Sequence, residues 1–120
     1  MTDAGAAPPD GVVFHLDDGD PDKQGAVMRN VSNLLDALGP GTVVELVTHG
    51  PGLDAVLVGG THEAALRGLL DRGVLVAACA NTMTSKQIAE DALVPGVRVV
   101  PAGVAQVVVR QRQGWSYVRP

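Results

Sequence analysis

The chain contains a single cysteine, Cys79, near the end of an apolar, strand-like run over residues 73–83. Residues 84–87 follow, and their Thr-x-x-Gln spacing is a capping-box pattern that predicts a helix beginning near Thr84. A reactive group between a buried strand and a helix N-terminus lies where open α/β sheets bind their ligands. The free amides and the dipole of such a helix favour a thiolate over a thiol. The sequence therefore predicts that Cys79 is a nucleophile.

Two histidines lie at the ends of the first two strand-like runs of the chain. His15 lies at the end of the first run, and His49 directly follows the second. Because the carboxyl ends of parallel strands share one edge of a sheet, we expect His15, His49 and Cys79 on the same rim. An imidazole close to a thiol can accept its proton or pair with the thiolate. The pattern predicts Cys79 and His49 as catalytic residues.

Polar groups flank these residues in the sequence. Asn81 and Thr82 follow the thiol, and Gly50 begins a Gly-Pro-Gly turn after His49. Hydroxyl, amide and backbone N–H groups in such turns can donate hydrogen bonds to an anion. We therefore predict that a ligand is bound by His15, Gly50, Asn81 and Thr82.

Each of these residues also has a purely structural interpretation. A lone cysteine on an apolar strand is often an inert small hydrophobe. A histidine at a strand end can simply bind a backbone carbonyl, and one in a Gly/Pro turn can stabilise that turn. The third histidine, His62, is expected to be solvated in the first turn of a helix. No close-spaced pair of ligands supports a Cys-His-His metal site, so neither a metal nor a cofactor is predicted.

The composition predicts one domain with an aliphatic core. The chain has 120 residues, with 46% hydrophobic and only 2% aromatic residues. Such a core suits a sheet that is covered on both faces by helices. The net charge of −4 and the lack of a dense basic run argue against nucleic-acid binding. One cysteine excludes an internal disulfide and a multi-cysteine zinc site.

No segment resembles a membrane span or a signal peptide. The apolar runs are shorter than the roughly 20 residues that a bilayer requires. The N-terminus lacks the basic start and the apolar stretch of a secretory signal. We expect a cytoplasmic protein with a flexible tail over residues 1–10 and one domain over residues 11–120.

Strand-like and helix-like segments alternate along the chain. Strand-like runs cover residues 12–16, 42–47, 74–78 and 97–100, and residues 117–118 could add a short final strand. Helical periodicity fills most of the intervening segments, although residues 102–112 fit either a helix or a strand. This alternation predicts a Rossmann-like, three-layer α/β domain with a mostly parallel sheet of about five strands flanked by helices.

Several segments resemble a known family in order and spacing. They include His-Gly-Pro-Gly at 49–52, Ala-Cys-Ala-Asn-Thr at 78–82 and Val-Pro-Ala-Gly-Val at 100–104. Together they resemble the DsrE/DsrF-like (YchN-like) family over residues 11–120. The resemblance implies a small α/β domain that assembles into homo-oligomers, often trimers or hexamers.

The resemblance also implies a chemistry for the cysteine. Some relatives carry sulfur as a persulfide on a strand-end cysteine and pass it along a relay, and Cys79 matches that position. On this basis the chain is expected to be a sulfur carrier or sulfurtransferase-like protein that works with sulfur donor or acceptor proteins. The alternative is a non-catalytic oligomeric module that binds a small anionic or nucleotide-like ligand at the same rim.

Two aromatic residues near the C-terminus bear on assembly. Trp115 and Tyr117 are costly to expose, and aromatic residues are enriched at the centres of interfaces. We therefore expect both residues in or beside a subunit contact.

Overall fold

The computed structural model describes residues 10–120, in which five strands form one sheet. The strands are β1 (Gly11–Leu16), β2 (Val43–Thr48), β3 (Leu75–Cys79), β4 (Arg98–Val100) and β5 (Ser116–Val118). All neighbouring strands are parallel, in the order β4-β3-β2-β1-β5. The predicted α/β class is confirmed. The predicted tail lies outside the described residues except for Asp10, which is exposed.

In the described part of the chain, four α-helices connect the strands. They are α1 (Pro21–Leu38), α2 (Glu63–Asp71), α3 (Ala80–Lys86) and α4 (Gly103–Arg112), and two 3₁₀ segments cover Gly50–Val56 and Glu90–Ala92. The ambiguous segment 102–112 is therefore helical. No helix within residues 10–120 is long and apolar enough to cross a membrane.

The two faces of the sheet are covered very differently. Helices α1 and α2, the first 3₁₀ segment and α3 cover one face, and side chains at even positions of β1, β2 and β3 fill that core. Of the helices between residues 10 and 120, α4 alone covers the other face. The smaller cluster beneath it contains Val13, Val47, Ala77, Val100, Val107 and Trp115. Because side chains alternate along a strand, the odd positions of the central strands all face α4.

The predicted start of the helix after Cys79 is wrong. Helix α3 begins at Ala80, with Cys79 as its N-cap residue in an extended conformation, and not at Thr84. It ends at Lys86, and its C-cap residue Gln87 has a left-handed φ of 56°. The capping-box pattern is overridden because Met83 is buried in the larger core cluster, which fixes the helical turn that precedes Thr84. The amides of the helix start are thus adjacent to the thiol.

A buried ion pair fixes α4 to the sheet. Glu45 is fully buried on β2 and accepts hydrogen bonds from Gln106 Nε2 at 2.8 Å and Arg110 Nε at 2.7 Å. The guanidinium of Arg110 lies 4.2 Å from the ring centroid of Trp115.

Trp115 is buried within its own chain, with 6% of its surface exposed, so a subunit contact is not needed to cover it. Tyr117 is 40% exposed.

Candidate functional site

Cys79 lies at the carboxyl end of β3, surrounded by hydrogen-bond donors. Burial raises the pKa of its thiol, but the hydroxyl of Thr82 and the backbone amides of Thr82, Gly103 and Asn81 together outweigh that effect. The resulting pKa is below the ordinary value of a cysteine. The Thr82 Oγ1 also accepts the Gly50 N–H at 2.8 Å, which leaves its hydroxyl proton free for the sulfur. The site favours a thiolate.

Gly103, the first residue of α4, approaches Cys79 and His49 from the face of the sheet opposite α1 and α2. A Cβ atom at position 103 would lie 2.9 Å from His49 Cβ and 3.5 Å from Cys79 Cβ. Only glycine therefore lets the first residue of α4 bring its amide to the thiol. As a result, Cys79 lies between the first turns of two helices, α3 and α4. Gly103 was not among the site residues predicted from the sequence, although the Pro-Ala-Gly segment at 101–103, before a candidate helix, was a signal for it.

His49 is half-buried and directly precedes the first 3₁₀ segment. Its Nε2 lies 3.1 Å from Nε2 of His15, and its Nδ1 is buried without a hydrogen-bond partner among the described residues. The groups that lower the pKa of Cys79 come from Thr82, Gly103 and Asn81. The side chains of His49 and Cys79 both approach Gly103, so the imidazole lies close to the thiol. Its Nδ1 is the ring nitrogen that remains available.

His15 lies one strand further along the rim, beside Tyr117 and His49. Its Nδ1 is 2.8 Å from the Tyr117 hydroxyl oxygen. Burial lowers the pKa of His15, the neighbouring His49 lowers it further, and the Asp17 carboxylate partly opposes both effects. Asp17 in turn accepts a salt bridge from Arg119 at 3.1 Å.

The structure brings most of the predicted site residues together, with two qualifications. Gly50, Thr82 and Cys79 are directly connected, whereas His15 reaches this group only through His49. Asn81 contributes its backbone amide to the thiol, and the residue itself is exposed.

Two neighbours of His15, namely Asp17 and Tyr117, were not among the site residues predicted from the sequence. The His-x-Asp spacing at 15–17 was a signal for Asp17, because residues two apart leave a strand on the same side. Tyr117 required the pairing of β5 with β1, which the sequence does not reveal.

His62 does not belong to this rim. It lines a groove of about 420 Å³ between α1 and α2. Its Nε2 is buried without a partner among the described residues, so the prediction of a solvated side chain is wrong for that atom. The ring is partly covered because it lies against Gly25 of α1, where a Cβ atom would come within 3.2 Å of it.

Comparison with known proteins adds to this geometry. No protein-family model matches the chain, and no curated protein does. Among solved structures, the chain is 33% identical to the protein of unknown function MTH1491 from Methanobacterium thermoautotrophicum, with a TM-score of 0.89 over 92% of this chain and 99% of that one. The chain belongs to the same family as MTH1491.

A second solved structure has a similar fold but a distant sequence. The ychN protein from E. coli has a TM-score of 0.81 and 13% identity, over 92% of this chain and 99% of that one. The two matches together confirm that the chain belongs to the YchN/DsrE-like fold family, as the resemblance implied. Since MTH1491 is itself of unknown function, the comparisons support the fold and the YchN/DsrE-like family. Any reaction of this chain has to be inferred from the geometry of its site.

Proposed function

We propose that the chain is a thiol-based sulfur carrier in which Cys79 accepts sulfane sulfur and passes it to another thiol. The observation that carries this proposal is the lowered pKa of Cys79, held by donors from two different helix starts and the Thr82 hydroxyl. The thiolate is the nucleophilic form of cysteine. A site that favours it at a strand end is suited to attack on a donor sulfur.

The reaction needs no external oxidant or reductant. The Cys79 thiolate attacks the terminal sulfur of a donor persulfide, forms a new S–S bond and displaces the donor thiolate. An acceptor thiolate then attacks the outer sulfur and releases the Cys79 thiolate. The same amides that stabilise the thiolate would bind the anionic persulfide.

The surrounding residues have distinct roles in this proposal. His49, whose Nδ1 has no hydrogen-bond partner among the described residues, accepts or returns a proton near the thiol. His15 positions the His49 ring through the contact between their Nε2 atoms. Thr82, Asn81 and Gly50 bind the persulfide or the donor. We also propose a cytoplasmic location, because the reducing thiol pool there keeps a single cysteine available.

Intact-mass measurement after incubation with a sulfane donor tests the proposal. We expect a gain of one sulfur, about 32 Da, consistent with thiolate exchange chemistry, and its removal by a small thiol. Cys79→Ser is the matched control, since serine is close in size and should preserve the fold without forming the adduct. If the wild type gains no mass where free thiols do, the sulfur-carrier function is wrong.

The second candidate function is a non-catalytic binding module. The observation that favours it is the low exposure of Cys79, 6%, which is typical of a packed cysteine. In that case the rim would bind a small anion or a nucleotide-like ligand, and the thiol would serve only as core. The mass measurement separates the two candidates.

We further propose that the chain forms a homo-oligomer, a trimer or a hexamer, that meets sulfur donor or acceptor proteins. Support comes from α4, where Val104, Val108 and Val109 are 58%, 44% and 44% exposed. Exposed valines on one helix are apolar surface that association would remove from water. Light scattering at micromolar concentration should give a multiple of the chain mass, and a monomer would contradict this proposal.

A further inference from the structure

We propose that His15, Asp17 and His49 form a binding site for a divalent transition metal ion such as Zn²⁺. Each residue offers one ligand atom, and these atoms all lie within 4.8 Å of one another. Two imidazoles and a carboxylate are a ligand set that such ions use in proteins. The site adjoins Cys79 but does not include it, and the inference does not depend on sulfur transfer.

The distance between the two imidazoles fits a shared metal ion. His15 Nε2 and His49 Nε2 are 3.1 Å apart. Zinc binds histidine nitrogen at roughly 2.0–2.1 Å, so two ligands of a tetrahedral ion lie about 3.3 Å apart. The two nitrogens already have nearly the separation that one bound ion requires. Asp17 would supply an oxygen as the third ligand, and water the fourth.

A second residue orients one of the ligands. The Tyr117 hydroxyl lies 2.8 Å from Nδ1 of His15, on the side of the ring opposite the candidate site. Metal-binding histidines usually engage their other ring nitrogen in this way, which fixes the ring and directs the free nitrogen at the metal. Tyr117 is therefore a positioning residue for the site.

The carboxylate of Asp17 forms a salt bridge with the Arg119 side chain, which a metal ion can replace. Arg119 contacts its carboxylate at 3.1 Å, and the two side chains are 58% and 30% exposed. Exposed ion pairs of this kind are weak. A cavity of about 140 Å³ lined by His15, Asp17, Lys23 and Arg119 opens beside the carboxylate and gives an ion access. Arg119 should therefore compete with the metal for Asp17.

Calorimetric titration of the full chain with Zn²⁺, together with Co²⁺ absorption spectra, tests the proposal. We expect one ion per chain. His15→Gln and Asp17→Asn should weaken binding at least tenfold, and Tyr117→Phe by roughly tenfold, the effect typical of an outer-shell partner. Arg119→Ala should strengthen binding several-fold. Circular dichroism confirms that each variant is folded.

Two controls separate this site from other ways of binding a metal. His62→Gln removes the one histidine outside the cluster and should leave the affinity unchanged. Cys79→Ser should also retain the ion, with cobalt spectra that lack sulfur-to-metal bands. The proposal is overturned if the wild type binds no ion at micromolar concentration, if His15→Gln binds normally, or if Cys79→Ser loses the ion.

Discussion

The two faces of the sheet differ in chemistry as well as in coverage. On the α1 side, the central strands present Val12, Phe14, Leu16, Val44 and Leu46 among other apolar residues. On the α4 side, the central strands present His15, Glu45 and Cys79 at odd positions, and His49 directly follows β2. One face is thus an aliphatic core. The other combines a small core with the two rim histidines, the buried carboxylate of Glu45 and the thiol of Cys79.

The difference follows from how many elements cover each face. Several helices bury the α1 side, where an ionisable group would be costly without a partner. Helix α4 alone covers the other side, and it begins at Gly103 over the strand ends. The polar groups of β1, β2 and β3 therefore reach a rim that is only partly closed. Helix α4 therefore both stabilises the fold and completes the site.

The largest predicted effect comes from breaking the anchor of α4. Arg110→Met leaves the fully buried Glu45 without its cation, which should cost about 3–5 kcal/mol of stability. Because α4 then loosens, its Gly103 amide should leave the thiol and the alkylation midpoint of Cys79 should rise. Thermal melting and iodoacetamide labelling across pH measure the two effects.

Two controls sharpen this prediction. Leu46→Ala, on the α1 face, should cost about 2–5 kcal/mol through its cavity but leave the labelling midpoint unchanged. Adding Glu45→Leu to Arg110→Met removes the unpaired charge and should recover much of the stability. Equal midpoint shifts in the Arg110→Met and Leu46→Ala variants would contradict the division between the faces.

A smaller effect is expected at Gly103. Alanine there would place a Cβ 2.9 Å from His49 Cβ, so we predict a loss of about 1–3 kcal/mol and a raised alkylation midpoint. Gly68→Ala in α2 is the matched control, because a Cβ at Gly68 has open space around it. That change should stabilise the protein by up to about 1 kcal/mol and leave the thiol unaffected. An unaltered thiol in Gly103→Ala would disprove the role of the α4 amide.

The sequence predicted the order of the elements well because local signals agreed with the fold. Apolar runs marked β1, β2 and β3, and the N-cap residue of α1 is Asp20, whose carboxylate accepts a hydrogen bond from the Asp22 N–H. The start of α3 was misplaced because the Thr84 capping pattern is local, whereas burial of Met83 is a tertiary effect. The strand ends nevertheless brought His49 and Cys79 to one rim as predicted.

The missed residues depend on contacts that are distant in the chain. Glu45 lies inside an apolar run, and its partners Gln106 and Arg110 follow it by 61 and 65 residues. Gly103 matters only because α4 returns to the ends of β2 and β3. Residue type and spacing could not reveal such pairings, since they arise from the order of strands in the sheet.

The alkylation rate of wild-type Cys79 across pH tests the central claim most directly. Because the donors around the sulfur lower its pKa, the thiolate should persist to lower pH than in a free cysteine. We predict labelling by iodoacetamide without denaturant, with a midpoint below the roughly 8.5 of a free cysteine. As the pH falls through this lowered midpoint, the rate should decline. A midpoint at or above the free value, or labelling only after unfolding, would contradict the account and leave Cys79 as a packed core residue.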